Sequence, residues 1–286
     1  MIFQRAFDRI GNIAIVNFPN SAKLRDKKQF AKKILNENKS IKTVLEKKGK
    51  IKGRLRKITT DYIAGEKTKE VLYKENGCVF RFNINTTYFS PRLSNERKEI
   101  SDKIKKFDKV LVMFAGVGPF SIVIARNSQA NVVSNEINRE ANKYAKLNIE
   151  LNNVKNRVEL APGDIKRVAK MLKKGNAKKS KIFGATKSKT TPSRRSRGKD
   201  FAGFDVIVMP RPRLKDSFLK EAFMLSKKGT RIYYYDFCKV DEIKDIKEKI
   251  LREAKKHKKK IKILNIKPAG EIAPYTIRIR VDFQVD

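Results

Sequence analysis

The sequence predicts an α/β protein: a Rossmann-like domain over residues 101–286, with a basic insertion at about 173–200, behind a small α+β domain over residues 1–100. Three observations carry this prediction. From about residue 101, short apolar runs alternate with helical patterns, the texture of βαβ units on a parallel sheet. One of these runs, Val110-Leu111-Val112, continues into Met113-Phe114-Ala115-Gly116-Val117-Gly118 and then a helical stretch, so strand, glycine turn and helix follow one another. Before residue 101 the texture differs: strand-like runs such as Ile13-Ala14-Ile15-Val16 and Cys78-Val79-Phe80-Arg81-Phe82 accompany a basic helical stretch near residues 22 to 36.

Strands are expected at 109–114, 131–135, 157–161, 204–209 and 230–235. Between the second and third, Asn138 can cap a helix whose apolar residues Ala141, Tyr144, Ala145 and Ile149 share one face. Ile243, Ile246, Ile250, Leu251 and Ala254 form the stripe of a Lys-rich helix, and 261–266 and 275–284 alternate like two antiparallel strands. His257, the single histidine, falls in a Lys run on that helix and reads as a solvated side chain. Residues 173 to 199 hold eleven Lys or Arg and no acidic residue among Gly, Ser and Thr, the composition of a loop. Two readings of it stay open: a solvated insertion, or an arm that follows an RNA backbone.

The 286 residues, 40% hydrophobic, can bury a core, while 69 Lys and Arg against 30 Asp and Glu give a formal charge of +39. Such a field attracts polyanions, and nucleic acid is the default partner; a protein that only coats phosphate is the plainer alternative. Cys78 and Cys238 stand far apart with no CxxC or Cys/His cluster, which suggests free thiols in a reducing cytoplasm and no metal site. No stretch has the length of a membrane span, and the N-terminus lacks the layout of a signal peptide.

Glycine lets the backbone come close to a ligand, since it has no Cβ and tolerates positive φ. The third glycine of a dinucleotide clasp is missing, because Pro119-Phe120-Ser121 follows Gly118, and this disfavours NAD. The next strand ends in Asn135-Glu136, about 20 residues beyond Gly116, where a carboxylate can accept both hydroxyls of a ribose. The following strand ends in Pro162-Gly163-Asp164-Ile165, and Asp164 stands where an adenine amino group can donate. A nucleoside site without phosphate ligands fits S-adenosylmethionine.

Two further stretches are more specific. Tyr88-Phe89-Ser90-Pro91-Arg92-Leu93-Ser94-Asn95-Glu96-Arg97, followed by Phe114-Ala115-Gly116-Val117-Gly118-Pro119-Phe120-Ser121, resembles the archaeal and eukaryotic tRNA (guanine-N1)-methyltransferase family, whose members modify the guanosine 3′ of the anticodon, position 37. The likeness runs from about residue 5 onward, through Ile63-Ala64-Gly65-Glu66, Tyr233-Tyr234-Tyr235 and Ala273-Pro274-Tyr275. It implies a class I S-adenosylmethionine-dependent methyltransferase domain, an RNA-facing N-terminal domain, tRNA as partner and a monomer. It also implies roles. Glu96 would be the general base for guanine N1, and Arg56 would meet O6 as charge moves there. Tyr88, Arg97, Phe114, Gly116, Gly118, Glu136, Ile137, Asp164, Ile165 and Pro210 would hold the cofactor, and Arg92 and Pro212 would position the substrate. An ion pair between Glu96 and Arg92 or Arg97 is the plainer reading of that carboxylate.

The sequence departs from the family pattern in three ways. Val112 stands where the family has Asp, Pro210-Arg211-Pro212 replaces Asn-Leu-Pro, and the extra N-terminal domain of longer members is not seen. The second departure bears on which atom is methylated, since archaeal relatives altered there methylate C7 of the wyosine precursor imG2 at the same position, alone or as a second activity. Aminocarboxypropyl transfer in the wyosine pathway and an RNA-binding protein without activity are the remaining alternatives.

Overall fold

A computed structural model describes residues 7–53, 55, 57–174 and 201–286. Arg56 and nearly all of the basic insertion lie outside the described residues. The chain begins with a four-stranded sheet of order β1-β2-β3-β4, made of β1 (Asp8–Ile10), β2 (Ile13–Val16), β3 (Thr43–Lys52) and β4 (Lys57–Gly65). β2 and β3 run parallel, which requires a crossover, and the helix α1 (Leu24–Glu37) supplies it. α1 buries Ala31 and Ile34 against Ala14, Val16, Val44 and Ile63. The long β3–β4 hairpin is an addition to the expected elements; the four lysines of β3 and the polar Thr59-Thr60-Asp61 of β4 hide the apolar alternation by which strands are recognised in sequence.

Next comes a hairpin of β5 (Glu70–Glu75) and β6 (Cys78–Asn83), turned at Asn76-Gly77 with φ of 48° and 72°, as a two-residue turn of positive φ requires. A 3-10 turn at Pro91–Leu93 leads into α2 (Ser94–Asp102). The larger sheet follows, with β7 (Lys109–Val112), α3 (Pro119–Ser128), β8 (Asn131–Glu136), α4 (Arg139–Leu151), β9 (Val158–Pro162), α5 (Ile165–Lys173), β10 (Phe204–Met209), α6 (Leu219–Leu225), β11 (Ser226–Lys239), α7 (Ile243–Lys256), β12 (Ile261–Ala273) and β13 (Thr276–Val285). The strand order is β12-β13-β11-β10-β7-β8-β9, parallel from β11 to β9, with β13 antiparallel to both neighbours. The chain reverses its winding at β7, between β10 and β8, and open α/β sheets bind ligands outside the carboxyl ends at such a point.

Alternate residues of β7 serve opposite faces: Val110 and Val112 pack with α3 and α4, whereas Leu111 and Met113 pack with α5, α6 and α7. The sequence texture divides the chain at residue 100, but packing places residues 70–102 with the larger sheet. Val71, Phe80, Phe82 and Ile100 join the core of α3 and α4. The outer edge of β6 is closed by two asparagines of α4. Asn152 exchanges bonds of 2.8 and 2.7 Å with Val79, and Asn148 exchanges bonds of 2.8 and 3.1 Å with Arg81, each carboxamide standing in for a strand's peptide group.

β11 and β12 extend well beyond the expected 230–235 and 261–266, to 14 and 13 residues, because β13 pairs with both along nearly its whole length. His257 differs from its sequence reading too. It caps the C-terminus of α7, 23% exposed, with its ring 6.2 Å from that of Phe223. Cys78 and Cys238 are free and buried, and burial pushes the Cys78 thiol up to about 11. Among the described residues no helix is long and apolar enough to cross a membrane.

Candidate active site

A cleft opens at the carboxyl ends of β7, β8, β9 and β10. Its floor is the turn after β7. Phe114, Gly116 and Gly118 all have positive φ, at 56°, 58° and 89°, so the chain doubles back before Gly118 caps α3. Gly118 is confined as well, since a Cβ there would lie 3.2 Å from Ile122 Cδ1. Two bonds fasten the turn to β8: Ala115 N–H donates to Asn135 O at 2.8 Å and Gly116 N–H donates to Glu136 Oε2 at 2.8 Å. The other oxygen, Glu136 Oε1, accepts from Asn138 N–H at 2.7 Å. This carboxylate is thereby held by two backbone amides, one on each oxygen.

Asn135 joins the next wall by donating Nδ2–H to Ala161 O at 2.7 Å and Gly163 O at 3.0 Å. Asn138 caps α4 as expected, accepting from Glu140 N–H, and its Nδ2–H donates to Thr86 O at 2.9 Å. That bond brings the segment ending in Tyr88 over the cleft, where Tyr88 and Leu55 form part of the lining. Ile137, Ala141, Ile165, Pro210, Pro212 and Leu214 supply the remaining apolar wall. Phe114 is braced edge-on by Phe218, their centroids 5.0 Å apart.

The loop after β10 turns on Arg211, a residue that sequence reasoning passed over as part of a departure. Its side chain points inward and is buried, with Nη2 3.2 Å from Asp236 Oδ1 and the guanidinium 5.6 Å from the Tyr234 ring centroid. Nη1 donates to Pro212 O at 3.2 Å and Nη2 donates to Leu214 O at 3.0 Å. Nε has no hydrogen-bond partner among the described residues. With the arginine buried, Pro210 and Pro212 face the cleft. A buried arginine betrays itself in sequence only by standing between two prolines in an apolar neighbourhood, which is a weak signal.

Of the predicted residues, the structure brings Tyr88, Phe114, Gly116, Glu136, Ile137, Ile165, Pro210 and Pro212 to one cleft. Asp164 stands between two lining residues, Gly163 and Ile165, where its Oδ1 caps α5 by accepting from Lys166 N–H at 2.9 Å. Arg97 and Glu96 do not line the cleft. Arg97 is buried between the rings of Phe89 and Phe120, pairs through Nε and Nη2 with the Glu75 carboxylate, and donates Nη2–H to Ser90 O at 3.0 Å. It ties the β5–β6 hairpin, through Glu75, to the segment before α2, through Ser90. Arg92 is exposed, and Nη1 reaches Glu271 O at 3.5 Å.

Glu96 pairs with neither Arg92 nor Arg97 among the bonds described. Its Oε2 accepts from Tyr235 Oη–H at 2.8 Å and from Arg280 Nη1 at 2.7 Å, and its Oε1 lies 3.1 Å from Lys267 Nζ. Tyr235 pairs with Arg280 across β11 and β13, and Arg280 with Lys267 across β13 and β12, so three adjacent strands present one row of donors to one carboxylate. Burial first, and then Glu96, push the Tyr235 phenol well above its ordinary value, so it stays a donor. Arg280 also bonds Glu99 and Asp282, and the Arg280 guanidinium is the main cause that holds the Glu99 carboxyl well below the usual carboxylate range.

Comparison with known proteins shows the family. Residues 71–182 match the TRM5/TYW2 methyltransferase domain and residues 2–68 the TYW2 N-terminal domain. A relative from Nanoarchaeum equitans, tRNA (guanine(37)-N(1))/4-demethylwyosine(37)-methyltransferase Taw22, is 32% identical over 97% of this chain and 98% of its own. The chain belongs to the TRM5/TYW2 methyltransferase family. Within the TRM5/TYW2 family, solved structures have the same fold. The complex of aTrm5 with tRNALeu has a TM-score of 0.76 at 25% identity, over 98% of this chain and 72% of that one. Pyrococcus horikoshii TYW2 in complex with MeSAdo has a TM-score of 0.74 at 22% identity, over 98% and 90%. The boundary between the two matched domains falls at residues 68 to 71, where β4 gives way to β5.

Proposed function

We propose that this chain transfers the methyl group of S-adenosylmethionine to N1 of guanosine 37 in tRNA, acting as a cytoplasmic monomer with residues 1–69 as its RNA-facing domain. The observation that carries the reading is the carboxylate of Glu136 fixed by the Gly116 amide at the turn after β7, in a chain aligned nearly end to end with Taw22. The cleft suits the cofactor. Glycine at φ 58° brings the backbone close at the floor, the held Glu136 carboxylate stands at the end of β8 where a ribose would lie, Asp164 stands at the end of β9 on the adenine side, and apolar side chains line the rest. When bound, the cofactor would supply an electrophilic methyl group in the cleft that Tyr88 and Pro210 help to line.

Neutral guanine holds a proton on N1 and is a poor nucleophile until that proton leaves. Glu96 is the base in this reading. Oε2 is committed to Tyr235 and Arg280, while Oε1 has, among the described residues, Lys267, a third exposed and also 2.5 Å from Glu99. Swinging Lys267 fully onto Glu99 frees Oε1 to accept the N1 proton. Arg56 would stabilise the charge moving onto O6, and Arg92 would steady the nucleotide from the rim.

A second reading, methylation of C7 of the wyosine precursor imG2, draws support from the Taw22 name and from Pro210, which offers no amide to a guanine edge. Incubating the protein with methyl-labelled S-adenosylmethionine and tRNA carrying either guanosine 37 or the tricyclic precursor, then identifying the labelled nucleoside, tests both. N1-methylguanosine from the first substrate is the expected product. Label only on the second substrate replaces the main reading, and label on neither removes both.

A further inference from the structure

The turn joining β12 to β13 contains one residue that the fold does not need. Ala273 and Thr276 pair across the strands, so Pro274 and Tyr275 alone make the loop. Proline fixes a negative φ at the first loop position, and Tyr275 then takes the second at φ 59°. That is the left-handed place where a turn of this geometry favours Gly or Asn, and an aromatic side chain there is strained. The strain brings no packing in return. Tyr275 is 84% exposed, and among the described residues no ring or cation lies against its phenol. Its described hydrogen bond is made by the backbone carbonyl, which accepts from Val240 N–H at 3.2 Å and would do so with any side chain. Strained residues of this kind gather at ligand clamps.

The location supports a ligand. β13 runs antiparallel to β11 with Thr276 opposite Lys239, so the turn stands at the carboxyl end of β11, the edge at which the cleft opens. Arg92 touches the same hairpin at Glu271, and the segment carrying Arg92 begins at the cleft-lining Tyr88. An exposed aromatic ring and an exposed guanidinium thus meet at one hairpin on the carboxyl side of the sheet, in a chain whose charge of +39 draws polyanions. The geometry points to Tyr275 as a stacking platform for an unpaired nucleobase of the tRNA, next to the purine that enters the cleft. Every base offers a π face to such a ring, and RNA loops expose their bases to aromatic side chains in this way. This inference rests on the tRNA reading.

The test measures tRNA dissociation constants by filter binding over a range of salt for the wild type and for Tyr275→Ala, Tyr275→Phe and Tyr275→Gly. Loss of one stack raises the dissociation constant about ten-fold in the Ala and Gly variants, whereas Phe stays within about two-fold of wild type. The slope of log K against log salt is unchanged, because no phosphate contact is lost, and affinity for S-adenosylmethionine is unchanged. Tyr275→Gly in addition raises the melting temperature, since glycine accepts φ 59° without strain. Wild-type affinity in the Ala variant, or a Phe variant as weak as Ala, overturns the inference while leaving the tRNA reading intact. A wild-type chain that does not bind tRNA removes both.

Discussion

Glu136 and Glu96 are both carboxylates at strand-and-helix junctions, yet one was far more legible in the sequence than the other. Glu136 takes its partners from Gly116 and Asn138, in the turn and strand end next to it in the unit, and the spacing of a βαβ unit announces that arrangement. Replacing Glu136 by Ala removes a charge-assisted acceptor from two amides and, on the proposed reading, from the ribose. The dissociation constant for S-adenosylmethionine, measured by calorimetry, is expected to rise about ten-fold or more, with tRNA affinity little changed. Glu96 is different: its partners Tyr235 and Arg280 lie 139 and 184 residues away, and no local pattern could have named them. Glu96→Gln is expected to slow methylation of guanosine-37 tRNA at saturating substrate by about 10²-fold or more while the Michaelis constants hold. A fall in kcat that vanishes at high pH would identify the lost group as a proton acceptor, a signature that mere loosening of the cradle does not give.

At the level of elements, the parallel strands and the capped helix α4 followed from apolar periodicity, whereas β3, β4 and the long reach of β11 and β12 did not, because polar and charged residues interrupt their alternation and pairing with a neighbouring strand sets their length. The loop after β10 is the element whose behaviour depends most on one buried group. Arg211→Ala would leave Asp236 with Lys249 as its remaining cation and release the carbonyls of Pro212 and Leu214. Urea unfolding should register a loss of about 3 kcal/mol, and the Michaelis constant for tRNA should rise more than that for the cofactor. The helix α2 adds a pH dependence. Glu99 has a carboxyl pKa lowered chiefly by Arg280, so its pairing stabilises the fold wherever the unfolded group is ionised. That contribution is complete above the ordinary Glu pKa of about 4.3 and is lost as pH falls through the lower folded value. Thermal unfolding of Glu99→Gln and wild type should therefore converge only in strong acid, and a gap that is constant from pH 7 to strong acid would exclude this account.

On the scale of the whole molecule, charge was the most legible property, since composition alone gives +39 and directs the chain toward a polyanion. Binding of tRNA is expected to weaken by at least about 10²-fold between 50 and 200 mM salt, with the cofactor's affinity nearly constant, as titrations at both salts would reveal. The division between domains was harder to read, because the β5–β6 hairpin has the strand texture of the region before it but attaches to α4 through Asn148 and Asn152, which come much later. The row Tyr235, Arg280 and Lys267 has a consequence for biosynthesis. The ribosome makes the Glu96 carboxylate long before the strand that neutralises it, with 184 residues between Glu96 and Arg280. Until β13 slides between β11 and β12, that acid has no guanidinium beside it and cannot be sealed cheaply into a core. A nascent chain cut short before β13 therefore lacks both the guanidinium that meets Glu96 and the core side chains Ile279, Val281 and Phe283, so the carboxylate and the sheet around it can be completed only when the last strand has been made.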